Sequence, residues 1–239
     1  MSAAFPAESL AAAAATLARR FSAGATMWCV APRWSAHARH VAVEFVHPVI
    51  VGKRALPSIE LGGADVTDSL RLLARPGDIL LVIGAASDTT AGLLRRGDAW
   101  GLTTVWIGAG PHPDGAAASH LVWSDNPDPD RAASSGDLVV LYHVLWELTH
   151  VVFEHPGLLT EPAACPNAIS VASQDEVCVT CSDEGRVAEI LDVGEGGEAD
   201  ALAGGRRETI DVSLVDSVRP GDLVLVHAGT AIATLEQSS

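Results

Sequence analysis

The amino-acid sequence predicts an α/β chain, a doubly wound parallel sheet followed by a small β-barrel. Three observations carry this. Helical and strand patterns alternate up to about residue 155, the rhythm of βαβ units. The strands there include continuous apolar runs, DILLVIG at 78–84 and TTVWIG at 103–108, as expected of strands covered on both faces. From residue 186 onward, short β-type runs alternate with glycine-rich turns, which fits a small closed barrel.

Taken in order, helices are expected at 8–21, 35–47, 67–74 and 88–100, with one long helix at 131–154. Ser35 reads as the N-cap of the second helix and Pro48 as its end. Strands are expected at 26–30, 57–61, 78–84, 103–108 and 120–123. Residues 157–177 hold Pro162 and Pro166 among Gly, Ser and Asn without periodicity, and read as a linker. The expected units are therefore 1–156 and 178–239. The second carries strands at 186–193, 199–203, 207–212, 223–227 and 231–235. The tetrapeptide Arg-Pro-Gly-Asp opens an apolar strand at Arg75 and again at Arg219; the flanking patterns differ, so it reads as convergent turn chemistry rather than a repeat.

Composition excludes several classes. The formal net charge is −15, with Lys53 the single lysine, so nucleic acid and anionic membrane surfaces are not expected partners. No apolar run reaches the ~18 residues of a membrane span. The Ala-rich start lacks a basic flank and a cleavage pattern, so a cytoplasmic protein is expected. Cys29 lies in an apolar run and reads as a buried small hydrophobe.

Ligand-type side chains concentrate on two helices. His37, His40, Glu44 and His47 follow one another on the second helix, and His143, Glu147 and His150 on the last. Spacings of three, four and seven put each set on one helical stripe. Facing stripes would form a carboxylate–histidine site suited to zinc or iron; solvated histidines in a polar groove or a subunit interface are the alternative. Cys178 and Cys181 form a CxxC pair. Zinc would need two further ligands, and the strand-then-helix context of a thioredoxin-type redox pair is missing.

The second unit resembles the HypC/HupF family of [NiFe]-hydrogenase maturation chaperones. The resemblance rests on VCVTCSDEGRVAEI at 177–190, GGRRETIDVSLV at 204–215 and RPGDLVLVHAGTAIATL at 219–235. It implies an OB-like barrel and a scaffold role. The implied cargo is a transient iron unit, Fe(CN)2CO, passed between a HypD-type maturation protein and the hydrogenase large-subunit precursor. The family's functional cysteine corresponds to Cys178 and its strand-end histidine to His227. A thiolate is a fitting soft ligand for low-spin iron; a structural cysteine and a core histidine are the alternatives. Family members carry this cysteine directly after the initiator Met, whereas here a whole unit precedes it.

The first unit resembles the SIS (sugar isomerase) domain, and within it the phosphoheptose isomerases. HVAVEF at 40–45, LPSIEL at 56–61, LLARPGDILLVIG at 72–84 and LYHVLWEL at 141–148 carry the resemblance. It implies a flavodoxin-like strand order, a homo-oligomer (dimer or tetramer), and metal-binding or acid–base roles for His40, Glu44 and His143. Glu44 and His143 would be the catalytic pair of an aldose–ketose isomerase. Ser87, Thr89 and Thr90 fall in the family's phosphate loop. Gly84 and Ala86 replace two of its hydroxyl positions, and Asp88 adds a negative charge that disfavours phosphate. Pro32 removes an amide donor from the first loop, where Arg33 is a candidate anion contact. The family's fourth ligand position falls near Ser135, with Asp137 close by. The expectation is a retained fold, a maturation scaffold rather than a turnover enzyme, and an isomerase as the alternative.

Overall fold

The computed structural model describes residues 6–63, 65–113, 118–155, 157, 185–194 and 196–237. The first unit runs α1 (Ala7–Ser22), β1 (Met27–Val30), α2 (Ser35–Val46), β2 (Ser58–Leu61), α3 (Val66–Leu73), β3 (Ile79–Ile83), α4 (Asp88–Ala99), β4 (Thr103–Ala109), β5 (His120–Ser124), α5 (Pro129–Ser135) and α6 (Asp137–Glu154). All strand pairs in it are parallel, in the order β2-β1-β3-β4-β5. This is the flavodoxin-like order expected. The apolar runs of β1, β3 and β4 are buried along their whole length, because helices cover both faces.

Alternation along each strand divides the core in two. Met27, Cys29, Ile79, Leu81, Val105 and Ile107 face a layer formed by α1, α2 and α6. Trp28, Val30, Leu80, Val82 and Trp106 face α3, α4 and the barrel. Cys29 is fully buried, and its thiol is pushed far up by desolvation and by Glu60; it is a core residue.

Two local expectations are corrected. The helix expected at 131–154 is two helices that meet at 63°. Gly136 stands between them at φ +91°, a left-handed conformation that glycine adopts without strain. Asp128 caps the shorter helix by accepting from the Asp130 and Arg131 amides, with Pro129 in the first turn. Ser35 is the first residue of α2 and not its cap. The backbone turn before it suffices: Trp34 N–H donates to Ala31 O and His37 N–H to Trp34 O.

The second unit is a closed barrel of β6 (Arg186–Val193), β7 (Glu198–Ala203), β8 (Arg206–Asp211), β9 (Leu223–His227) and β10 (Thr230–Glu236), in the cyclic order β10-β8-β7-β6-β9. β8 and β10 pair in parallel and the other neighbours antiparallel, the OB-like arrangement. Its core is small and rich in alanine: Ala188, Ile190, Ala199, Ala201, Val224 and Val226. Ala228 and Gly229, at φ +48° and +81°, form the two-residue turn between β9 and β10. Both Arg-Pro-Gly-Asp segments fold alike. Gly77 and Gly221 take φ +94° and +92°, and the Asp78 and Asp222 carboxylates accept the amides of Arg75 and Arg219 at 3.0 and 2.8 Å.

The barrel is seated on α3 and α4. Glu189 of β6, 1% exposed, accepts Trp100 Nε1–H at 2.7 Å and pairs with Arg71 and Arg96. Arg96 also donates to Gly221 O at 2.9 Å and to Glu236 Oε1 at 3.1 Å. Gly205 N–H donates to Ala99 O at 2.9 Å. At Gly205 (φ +76°) a Cβ would lie 2.9 Å from Pro76 and from Trp100 O, so the two backbones approach more closely than a side chain allows.

Candidate metal centre and interdomain cavity

The two histidine-bearing stripes converge. His40 and Glu44 lie one turn apart on α2, and His143 reaches them from α6. His40 Nε2 is 3.3 Å from His143 Nε2 and 3.4 Å from Glu44 Oε1, and His143 Nε2 is 3.5 Å from Glu44 Oε1. Glu44 is mostly buried while the two imidazoles are 42% and 44% exposed, so the triangle opens to solvent. A tetrahedral ion with bonds of about 2.0–2.2 Å holds its donors ~3.3–3.5 Å apart. The measured edges match that spacing, and two imidazoles with one carboxylate suit zinc or iron.

Behind the triangle lies a polar shelf. Tyr142, fully buried, places its hydroxyl 2.9 Å from His40 Nδ1 and 3.4 Å from His37 Nδ1. His37 Nε2 is 3.0 Å from Ala133 O. Burial lowers the His37 pKa, opposed by the Ala133 hydrogen bond and assisted by His40. Burial, with the Glu44 charge, pushes the Tyr142 phenol up to about 12. Tyr142 carries no sequence signal except its place beside His143.

The remaining residues of the two stripes do other things. His47 is exposed at the end of α2. Glu147 is 3.9 Å from Lys53, which also pairs with Glu154. His150 is buried against the Trp146 ring, and its Nε2 has no hydrogen-bond partner among the described residues. Ser135 donates to Ala132 O, and Asp137 accepts from Asn126; neither joins the triangle. Cys178 and Cys181 lie outside the described residues, as does the expected linker 157–177 apart from Gly157. His227 is half-buried at the end of β9, paired in register with Thr230. Because Arg186 pairs with Val226, the chain enters the barrel at this same end.

A cavity of about 350 Å³ opens at the carboxyl ends of β1 and β2. Thr89, Asp88, Gly92 and Arg96 line it from α4, and Glu236 from the barrel. The Ser87 hydroxyl accepts Thr90 N–H and donates to the Thr90 hydroxyl, which donates on to Ala85 O. Ser87 and Thr90 are thus tied into the loop's own bonds, and of the three flagged hydroxyls Thr89 alone lines the cavity. The Glu236 carboxylate fills the space above Gly92. Arg33 pairs with Asp130 across the surface at 3.3 Å. Arg96, Glu236 and Glu189 were invisible to sequence reasoning, since their meaning depends on where the barrel docks.

Comparison with known proteins agrees with this division. Residues 184–239 match the HupF/HypC family. The match covers the HupF/HypC-type barrel and begins after Cys178 and Cys181. The α/β unit is similar in fold to a phosphoheptose isomerase from Francisella tularensis, at 17% identity and a TM-score of 0.53, covering 62% of this chain and 87% of that one. Phosphoheptose isomerase GmhA from Neisseria gonorrhoeae also matches, at 16% identity and a TM-score of 0.49, covering 61% and 86%. No curated protein sequence matches the chain. The chain therefore joins a SIS-like fold to a HupF/HypC-type barrel. Among the described residues no single helix is long and apolar enough to cross a membrane.

Proposed function

We propose that this protein is an accessory scaffold of [NiFe]-hydrogenase maturation. Its barrel carries or delivers the Fe(CN)2CO unit through Cys178, and its α/β unit holds a metal ion on His40, Glu44 and His143. The observation that carries the assignment is the HupF/HypC match on a closed five-stranded barrel. The partners are a HypD-type maturation protein and a hydrogenase large-subunit precursor, met in the cytoplasm. The α/β unit is the part through which the chain forms a dimer or tetramer.

The residues divide the work. The Cys178 thiolate is the soft donor that takes the iron unit from one partner and yields it to the next. His227 stands at the barrel end where the chain enters, within the region that would hold the unit's other ligands. On the α/β unit, zinc or iron bound to the triangle would supply Lewis-acid polarisation. Glu44 holds its carboxylate between the two imidazoles, and the solvent-facing side of the triangle is left for an incoming ligand.

An aldose–ketose isomerase is the second assignment, favoured by the convergence of His40, Glu44 and His143 in a SIS-like fold. Glu44 and His143 would then move a proton between adjacent carbons. The cavity argues against it, because Asp88 and Glu236 bring carboxylates where a sugar phosphate would need donors.

The decisive experiment is anaerobic purification after co-expression with the maturation partner. Wild type is expected to show infrared bands of iron-bound cyanide and carbon monoxide, and Cys178→Ala to lose them. His143→Ala is expected to keep those bands and lose stoichiometric zinc or iron. A wild-type chain without the bands overturns the scaffold assignment, and turnover of sedoheptulose 7-phosphate establishes the second.

A further inference from the structure

The polar shelf behind the triangle has an internal direction. A backbone carbonyl only accepts, so His37 Nε2, 3.0 Å from Ala133 O, must carry the proton. The Nδ1 of that neutral ring is bare and accepts, and the group facing it is the Tyr142 hydroxyl at 3.4 Å. Tyr142 has a single proton, and giving it to His37 leaves its oxygen an acceptor. The shorter contact, 2.9 Å to His40 Nδ1, is then filled by a proton on His40 Nδ1. A neutral imidazole protonated at Nδ1 is bare at Nε2, the atom that faces Glu44 and His143.

We propose that Tyr142 and His37 are positioning residues: their hydrogen-bond relay, anchored on the Ala133 carbonyl, holds His40 in the Nδ1–H tautomer and presents its Nε2 lone pair to a metal ion. This rests on the metal assignment of the preceding section and adds to it the residues that make His40 a competent ligand. A ligating histidine usually hands its second ring proton to a carboxylate, carbonyl or water. Here a phenol takes that place and a second histidine orients the phenol. Tyr142 is fully buried, so bulk water does not stand in for its hydroxyl. The Tyr142 and His40 rings meet edge-on with centroids 5.3 Å apart, which fixes the imidazole plane as well as its proton. The spacing is visible in retrospect: His37 precedes His40 by three residues on α2, and Tyr142 immediately precedes His143 on α6.

The test uses the full chain, with zinc as the metal. Affinity is measured by chelator competition for wild type, Tyr142→Phe, His37→Gln and His143→Ala. Histidine ¹⁵N NMR on the metal-free proteins reads the His40 tautomer. Tyr142→Phe is expected to weaken zinc binding about 10- to 100-fold, as loss of such an outer partner does, and to turn His40 from a single Nδ1–H form into a mixture. His37→Gln, at a half-buried position, repeats the effect more weakly and serves if Tyr142→Phe does not fold. Wild-type affinity together with an unchanged His40 tautomer in both variants overturns the relay. A wild type that binds no more zinc than His143→Ala overturns the metal assignment instead. The NMR of the wild type still judges the relay in that case, with Nε2–H on His40 the result that overturns it.

Discussion

The two faces of the parallel sheet carry two clusters built from similar groups, a carboxylate between nitrogen-bearing partners. Under α3 and α4, Glu189 is 1% exposed and its donors among the described residues are Arg71, Arg96 and Trp100 Nε1. On the α2–α6 side, Glu44 sits between two imidazoles that remain nearly half exposed. The first cluster is closed: its carboxylate is almost fully buried and already paired with two guanidinium groups and an indole N–H, so it fastens the barrel. The second is open: its lone pairs converge on a point that a cation would occupy. Burial and the identity of the nitrogen partner separate a fastener from a binding site. The barrel is seated on the closed side, which leaves the triangle uncovered on the opposite side of the sheet.

The strongest way to break this comparison is to remove the buried carboxylate. Glu189→Ala breaks the buried pairs with Arg71 and Arg96, leaves Arg96 with Glu236 as its remaining carboxylate, and strands Trp100 Nε1. It is expected to cost about 3 kcal/mol, read by denaturant unfolding of the full chain, and to leave zinc binding at the triangle unchanged. A loss below about 0.5 kcal/mol would put the cluster with ordinary surface pairs. Next in size is Gly205→Ala. Its Cβ would press on Pro76 and on Trp100 O from a left-handed backbone position, at an expected cost of about 1–3 kcal/mol. Thermal unfolding together with faster proteolysis between the units would register it.

The smallest expected effect is a pH dependence confined to the α/β side. Burial lowers the pKa of His150 and of His120, the latter assisted by Arg19. The unfolded chain takes up these protons near pH ~6.5, whereas the folded chain resists them. The stability they confer is therefore complete above that pH and declines as pH falls toward the folded values. His150→Gln and His120→Gln are each expected to flatten this decline in urea titrations between pH 7 and 5, and equal slopes in the variants and wild type would refute it.

Much of the fold was legible because its signals are local. The runs at 78–84 and 103–108 announced strands covered on both faces, and the turn residues after 186 announced a barrel. The break at Gly136 was not legible: an isolated glycine inside a helical pattern reads as tolerated, and the 63° bend follows from its left-handed backbone. At the candidate site, the i, i+4 spacing of His40 and Glu44 and the resemblance around His143 picked out the three residues that meet. Spacing alone did not separate these from His47, Glu147 and His150, because it says which residues share a stripe but not where a facing helix crosses it.

The succession of helices and strands along the chain, the turns of the barrel and the identity of the donor groups were thus decided by patterns a few residues long, where apolar periodicity and turn chemistry act. Which donors converge, that Tyr142 stands behind His40, and that Glu189 finds Arg71 from 118 residues away were decided by packing alone. Burial and direction are properties of the assembled layers, and neither a charge partner nor a proton's position along a hydrogen-bond chain is set until those layers have closed.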